Sequence, residues 1–158
     1  MVPPARGNRS IQLKINLGAG SLLLDGFTNV DIEPLPGIDV VHDLDAGPWP
    51  WDDASASEIV ASDIFEHVDD PLLFMGECGR VLEDQGILRI RTSYWRSENA
   101  FTDPTHRRAC TEKTFDYWCP STVIGQRYGP AYARGTAFAK LRCAMEGQEL
   151  VVVLRRLR

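Results

Sequence analysis

Gly18 and Gly20 follow the segment Lys14-Ile15-Asn16-Leu17, and an acid, Asp31, follows Asn29-Val30. This pattern reads as a buried strand, a tight glycine turn and a second strand ending in a carboxylate. A glycine has no Cβ, so a ligand can approach its main chain closely. A carboxylate at the next strand end supplies acceptors for a ribose diol. Gly18-Ala19-Gly20 with Asp31 therefore predicts a nucleotide-like cofactor.

The spacing narrows that cofactor. A dinucleotide fingerprint needs a third glycine three residues after Gly20, where Leu23 stands. It also places its acid about 20 residues on, and Asp31 comes much too early. No Gly-Lys-Ser/Thr sequence marks a phosphate loop. A glycine turn that accepts no pyrophosphate suits S-adenosylmethionine, which is adenosine joined to a zwitterionic amino acid.

A second constellation lies further along. Asp103 and His106 share an irregular segment rich in polar and aromatic residues, 92–108, with Tyr94, Trp95, Arg107 and Arg108. An imidazole oriented by a carboxylate is a general base near neutral pH. His106 assisted by Asp103 is the first candidate base and His67, beside Glu66, the second. Arg107 and Arg108 are expected to hold an anionic group on an acceptor. His42, His106, Asp103 and Cys110 match no standard metal spacing, so no metal is expected.

The elements that must position these groups follow from periodicity and turn chemistry. Strands are expected at 11–17, 28–32, 39–42, 57–61 and 87–91, with a helix at 71–82 capped by Asp69 or Asp70. Residues 18–26 are too few for a crossover helix, so a loop or a single helical turn is expected there. A short helix is expected at 112–118, a loop at 125–135, and a terminal hairpin of 138–145 and 149–157. Asp63 falls at the carboxyl end of the fourth strand, where ligands of such sheets gather.

The 158 residues suit one domain at 11–158, preceded by a flexible arm at 1–10. The arm has no apolar stretch of signal-peptide type, and no apolar run is long enough to span a membrane. Cys78, Cys110, Cys119 and Cys143 form no Cys-x-x-Cys pair, and reduced thiols in the cytoplasm are expected. The net charge of −5 is uneven: residues 1–86 carry 16 acids and 4 bases, residues 87–158 carry 6 acids and 13 bases. An acidic first half suits a cofactor bearing a sulfonium and an ammonium.

The ordered set Asn16-Leu17-Gly18-Ala19-Gly20, Gly26-Phe27-Thr28-Asn29-Val30-Asp31, Val41-His42-Asp43-Leu44, Pro48-Trp49-Pro50-Trp51, Phe65-Glu66-His67-Val68 and Arg80-Val81-Leu82 resembles the class I S-adenosylmethionine-dependent methyltransferases. It is similar in particular to the compact type 11-like bacterial and phage members. The resemblance implies a Rossmann-like α/β sheet, mostly parallel, closed by a C-terminal antiparallel hairpin. It implies that Gly18 and Gly20 line the methionine part of the cofactor and that Asp31 binds the ribose. Ile32 would flank the adenine, Asp43 would accept from its amino group, and the Leu44 backbone would meet a ring nitrogen. Asp63 would reach the cofactor's ammonium or the acceptor.

The resemblance implies methyl transfer to an oxygen or nitrogen and leaves the acceptor open. The Asp/Asn-Pro-Pro-Tyr and Pro-Cys motifs of DNA base methyltransferases are absent. A small molecule or glycan is the expected acceptor, with a nucleic acid read by its backbone as the other candidate. The first crossover is short and no helical lid precedes the first strand. The substrate side is therefore expected to be open, or completed by a partner chain or a second copy. The alternative is a cofactor-binding module or regulatory subunit without catalysis.

Overall fold

The structure, a computed structural model, describes residues 12–158. The arm expected at 1–10 lies outside them. Seven strands form one sheet in the order β3-β2-β1-β4-β5-β7-β6. They are β1 (Leu13–Leu17), β2 (Thr28–Asp31), β3 (Val40–Val41), β4 (Ala56–Ser62), β5 (Leu82–Ser93), β6 (Phe138–Glu146) and β7 (Glu149–Arg156). β1 pairs in parallel with β2 and β4, β2 with β3, and β4 with β5. β7 runs antiparallel to both β5 and β6. The mostly parallel Rossmann-like sheet with its terminal hairpin is therefore present. The chain leaves β1 toward one edge and returns through β4 toward the other, so the carboxyl ends of β1 and β4 form the topological switch point.

No helix joins β1 to β2; residues 18–27 cross as a loop. A buried amide pair fixes that loop. Asn16 Nδ2 donates to the Leu22 carbonyl at 2.8 Å and to Asn29 Oδ1 at 2.9 Å. Asn29 Oδ1 also accepts from the Leu24 amide at 2.9 Å. These bonds satisfy backbone groups that a crossover helix would have satisfied internally. On the far side, the Asn29 amide donates to Asp39 Oδ2 at 2.8 Å, which anchors the chain entering β3.

The first helix, α1 (Pro71–Val81), begins as its sequence requires. Asp70 is the cap, accepting from Leu72 and Leu73 at 2.8 and 3.0 Å, and Pro71 fills the first turn. Phe74, Met75, Cys78 and Val81 are buried against the sheet. Phe74 meets Trp49 and Phe65 edge-on, at 5.5 and 5.7 Å between ring centroids. β5 starts directly after α1. Its register with β4 jumps around Gln85 (φ +65°) and Gly86, the position of the expected turn.

Two expectations need correction. Residues 92–108 are not wholly irregular, because a single helical turn, α2 (Asn99–Thr102), lies within them. Residues 125–135 are not a loop: they follow on a 3₁₀ turn (Thr114–Trp118) as α3 (Val123–Tyr132), capped by Thr122, which accepts from the Gly125 amide at 2.9 Å. Gly125, Gly129 and Pro130 weaken the helical pattern, but close packing requires the first of them. A Cβ on Gly125 would stand 2.0 Å from the Cys119 carbonyl oxygen.

Candidate functional site

The switch point holds a cavity of about 190 Å³. Its wall includes Gly18 after β1, Asp31 and Ile32 at the end of β2, Asp43 and Leu44 after β3, and Ile64 and His67 after β4. Five residues expected at the cofactor, Gly18, Asp31, Ile32, Asp43 and Leu44, thus come together from three strand ends. Gly18 has φ +62°, and a Cβ there would lie 2.7 Å from Ile64 Cγ1. The glycine lets β1 and the β4 turn approach closely enough to form the cavity floor.

Asp31 is held in place by the turn it faces. Its Oδ2 accepts from the Gly20 amide at 2.8 Å and its Oδ1 from the Glu33 amide at 3.1 Å. Each carboxylate oxygen keeps a second acceptor site, so both remain open to a diol. Gly20 therefore acts through Asp31 and does not line the cavity. Ala19 is buried, its amide bonded to the Val30 carbonyl at 2.8 Å. The Asp43 carboxylate accepts from the Asp45 amide at 2.9 Å, and Asp45 in turn receives the Asp69 amide at 2.7 Å. That chain ties the cavity wall to the start of α1. The Trp49 indole donates to the Leu44 carbonyl at 3.1 Å and fixes its orientation.

Asp63 faces elsewhere. It has φ +53°, its amide donates to the Arg91 carbonyl at 2.8 Å, and its carboxylate pairs with the Arg91 guanidinium. With His67, Arg91, Asp103 and His106 it lines a second cleft of about 540 Å³. His67 belongs to the walls of both cavities.

The turn carrying His67 is held from three sides. Glu66 is wholly buried; its carboxylate accepts from the Thr92 hydroxyl at 2.8 Å and the Ser93 amide at 3.1 Å. Phe65 packs against Phe115 at 5.0 Å. The Arg108 guanidinium donates to the Phe65 and Val68 carbonyls at 2.6 and 2.5 Å. Arg108 is thus a clamp on the His67 turn, which corrects the anion-binding role expected for it, while the exposed Arg107 pairs with Asp69.

Asp103 does not orient His106. Its Oδ1 accepts from the Thr105 hydroxyl at 2.6 Å and amide at 2.8 Å, and the same hydroxyl contacts His67 Nδ1 at 2.9 Å. His106 Nδ1 faces the Ala100 carbonyl at 3.3 Å. The two imidazoles meet edge-on with ring centroids 4.6 Å apart. The hydrogen bonds from the Thr105 side chain, then from its amide, hold the Asp103 carboxyl below the usual carboxylate range. The expected pair is therefore a chain, Asp103–Thr105–His67, with His106 packed on its last member. Thr105 and Ile64 are the site residues that sequence reasoning missed.

Of the other residues weighed as metal ligands, His42 lines the first cavity and Cys110 is buried with its thiol near Thr92. Burial pushes the Cys110 thiol up to about 11, so it stays protonated. Cys78, Cys110, Cys119 and Cys143 are all free thiols.

The methyltransferase domain family matches residues 28–90, which carry Asp31, Ile32, Asp43, Leu44, Asp63 and His67. No curated protein matches the sequence. Among solved structures, an S-adenosylmethionine-dependent methyltransferase from Archaeoglobus fulgidus superposes with a TM-score of 0.64 at 14% identity, covering 91% of this chain and 86% of that one. A Haloferax volcanii complex with the Trm112 methyltransferase activator gives 0.56 at 15% identity, covering 93% and 83%. The [4+2]-cyclase SpnF gives 0.57 at 15% identity, covering 91% and 74%. At such identities the likeness is one of fold, and the fold carries more than one chemistry.

The matched segment, the sheet and the switch-point cavity together support a class I S-adenosylmethionine-dependent methyltransferase. S-adenosylmethionine is the cofactor these findings support. The cavity suits it: Asp31 has spare acceptors, Ile32, Ile64 and Val68 supply apolar walls, and no lysine or arginine among the described residues lines it to meet a phosphate. No helix of the described residues is long and apolar enough to cross a membrane.

Proposed function

We propose that this chain transfers the methyl group of S-adenosylmethionine to an oxygen or nitrogen of a small molecule or glycan held in the cleft of Asp63, His67, Arg91, Asp103 and His106. The observation that carries the reading is the position of His67, in the wall of the switch-point cavity and of the cleft at once. A group shared by both walls stands where donor and acceptor must meet, and such positioning supplies most of the catalysis in an in-line displacement.

The cofactor, when bound, supplies an activated methyl carbon. Asp31 holds the ribose, Ile32 flanks the adenine, and Asp43 with the Leu44 backbone reads its edge. Gly18 keeps the floor open, and Gly20 braces Asp31. On the acceptor side, the imidazole of His67 receives a hydroxyl proton, oriented by Thr105 and Asp103, with His106 beside it. Asp63 and Arg91 offer both hydrogen-bond senses to a polar, hydroxylated acceptor. Buried free thiols suit the reducing cytoplasm, which we take as the compartment.

The test is a transfer assay with methyl-labelled S-adenosylmethionine against panels of sugars, small hydroxyl compounds and amines. Label should appear in an acceptor together with stoichiometric S-adenosylhomocysteine. Tight cofactor binding without transfer to any class, nucleic acids included, would favour a binding module instead.

A further inference from the structure

His67, Asp103 and His106 each offer a ligand-capable atom, all within 4.8 Å of one another. Two imidazoles and a carboxylate with an open side form a donor set suited to zinc or a similar divalent transition metal. Whether an imidazole can bind a metal depends on which nitrogen carries its proton, and here donor counting decides that.

The Ala100 oxygen has no proton, so His106 Nδ1 must donate to it. In the uncharged ring that leaves the lone pair on Nε2. The Thr105 hydroxyl has one proton, which goes to Asp103 Oδ1 in the 2.6 Å bond. Its contact with His67 Nδ1 is then one in which the imidazole donates, and the His67 lone pair is also on Nε2. Both rings thus have one nitrogen fixed as a donor to a protein oxygen and the other left basic, the arrangement that orients metal-bound histidines. The second oxygen of Asp103 accepts no hydrogen bond among the described residues.

We propose that His67, His106 and Asp103 bind a single zinc-class divalent cation at the mouth of the acceptor cleft, with Thr105 orienting two of the three ligands. Bonds of about 2.0–2.1 Å draw tetrahedral ligand atoms to within about 3.4 Å of each other. Occupancy therefore tightens the cluster by side-chain rotation. The site rests on this clustering and donor count, the two Nε2 atoms and the second Asp103 oxygen converging by side-chain rotation; one consequence rests on the function proposed above. A metal-bound His67 has no lone pair left for an acceptor proton, so metal and proton transfer through His67 exclude each other.

The experiment is calorimetric titration of the metal-free full chain with Zn²⁺, repeated with Co²⁺ followed by visible absorption. One equivalent should bind, and Co²⁺ should give the intense bands of a four-coordinate site. His106→Ala should weaken binding by more than about 100-fold, and Thr105→Val, which removes the hydroxyl's bonds to Asp103 and His67 but no ligand, by about 10–100-fold. Glu149→Gln, in the neighbouring carboxylate group of Asp63, Glu66 and Glu149, should leave it unchanged. S-adenosylhomocysteine affinity, measured on each preparation, reads the fold and the cofactor site separately. No binding by the wild type, or equal binding by His106→Ala with cofactor affinity retained, would overturn the proposal. So would loss of binding in Glu149→Gln.

Discussion

Gly18 and Ile64 are in contact across the switch point: a Cβ on Gly18 would stand 2.7 Å from Ile64 Cγ1. One residue follows β1 and the other lies in the turn after β4, so their approach sets the shape of the cavity floor. Gly18→Ala adds a left-handed penalty of about 1–2 kcal/mol and drives Ile64 toward the ligand. The expected result is at least a tenfold (about 1.4 kcal/mol) loss of S-adenosylhomocysteine affinity with the circular dichroism spectrum retained. Adding Ile64→Ala should recover part of that loss, because it removes the collision. Equal losses in the single and double variants would show that contact with Ile64 is not the cause.

Asn29 anchors the loops on both sides of β2 while almost fully buried. Its truncation strands the Leu24 amide and leaves Asn16 with only the Leu22 carbonyl as a partner for its side-chain amide. Asn29→Ala should therefore cost about 2–3 kcal/mol in urea unfolding, more than an ordinary surface substitution. A change below about 0.5 kcal/mol would mean that water or rearrangement satisfies these groups.

Glu77 joins α1 to the tryptophan loop: its carboxylate accepts from the Trp49 amide at 2.6 Å and from Arg80 at 2.7 and 2.8 Å. The Arg80 hydrogen bond holds Glu77 below the usual carboxylate range, burial opposing it and the Trp49 amide adding to it. A depressed folded value means a contribution that is full above the unfolded value. It is lost as pH falls through the folded one, from about pH 5 downward. Glu77→Gln should destabilise the chain near neutrality and flatten the fall of stability between about pH 5 and pH 3. Parallel stability-pH curves for variant and wild type would contradict this.

His67 and His106 should separate in kinetics. His106 lines only the acceptor cleft of the two, so His106→Ala should leave cofactor affinity nearly unchanged. His67→Ala should lower transfer by about 10²–10⁴-fold if a hydroxyl acceptor needs a base, and should also disturb cofactor binding modestly. Thr105→Val should lower transfer while sparing cofactor affinity. Full transfer by both histidine variants would assign the acceptor a group that needs no base.

Much of this arrangement is legible in sequence because it depends on local chemistry. The glycines after β1, the acid ending β2 and the Asp70-Pro71 helix start each declare themselves within a few residues. What is not legible depends on distant partners. Asn16 and Asn29 read as polar interruptions of strands until the fold brings their amides together. Asp103 and His106 are near neighbours in sequence, which suggests a pair, yet Thr105 between them takes the Asp103 carboxylate and passes its orientation to His67. Arg108 reads as a free cation for a ligand, while the fold uses it on the carbonyls of Phe65 and Val68. α3 is hidden because Gly125 serves close packing, at the expense of local helix propensity.

The most direct test of the cofactor site is calorimetric titration of S-adenosylhomocysteine into the wild type and Asp31→Ala, with NAD as the comparison ligand. The wild type should bind S-adenosylhomocysteine one to one and prefer it clearly to NAD. Asp31→Ala should lose about 1.5–3 kcal/mol of that affinity with its fold intact. Equal affinity in wild type and variant, or a preference for NAD, would contradict the assignment of this cavity.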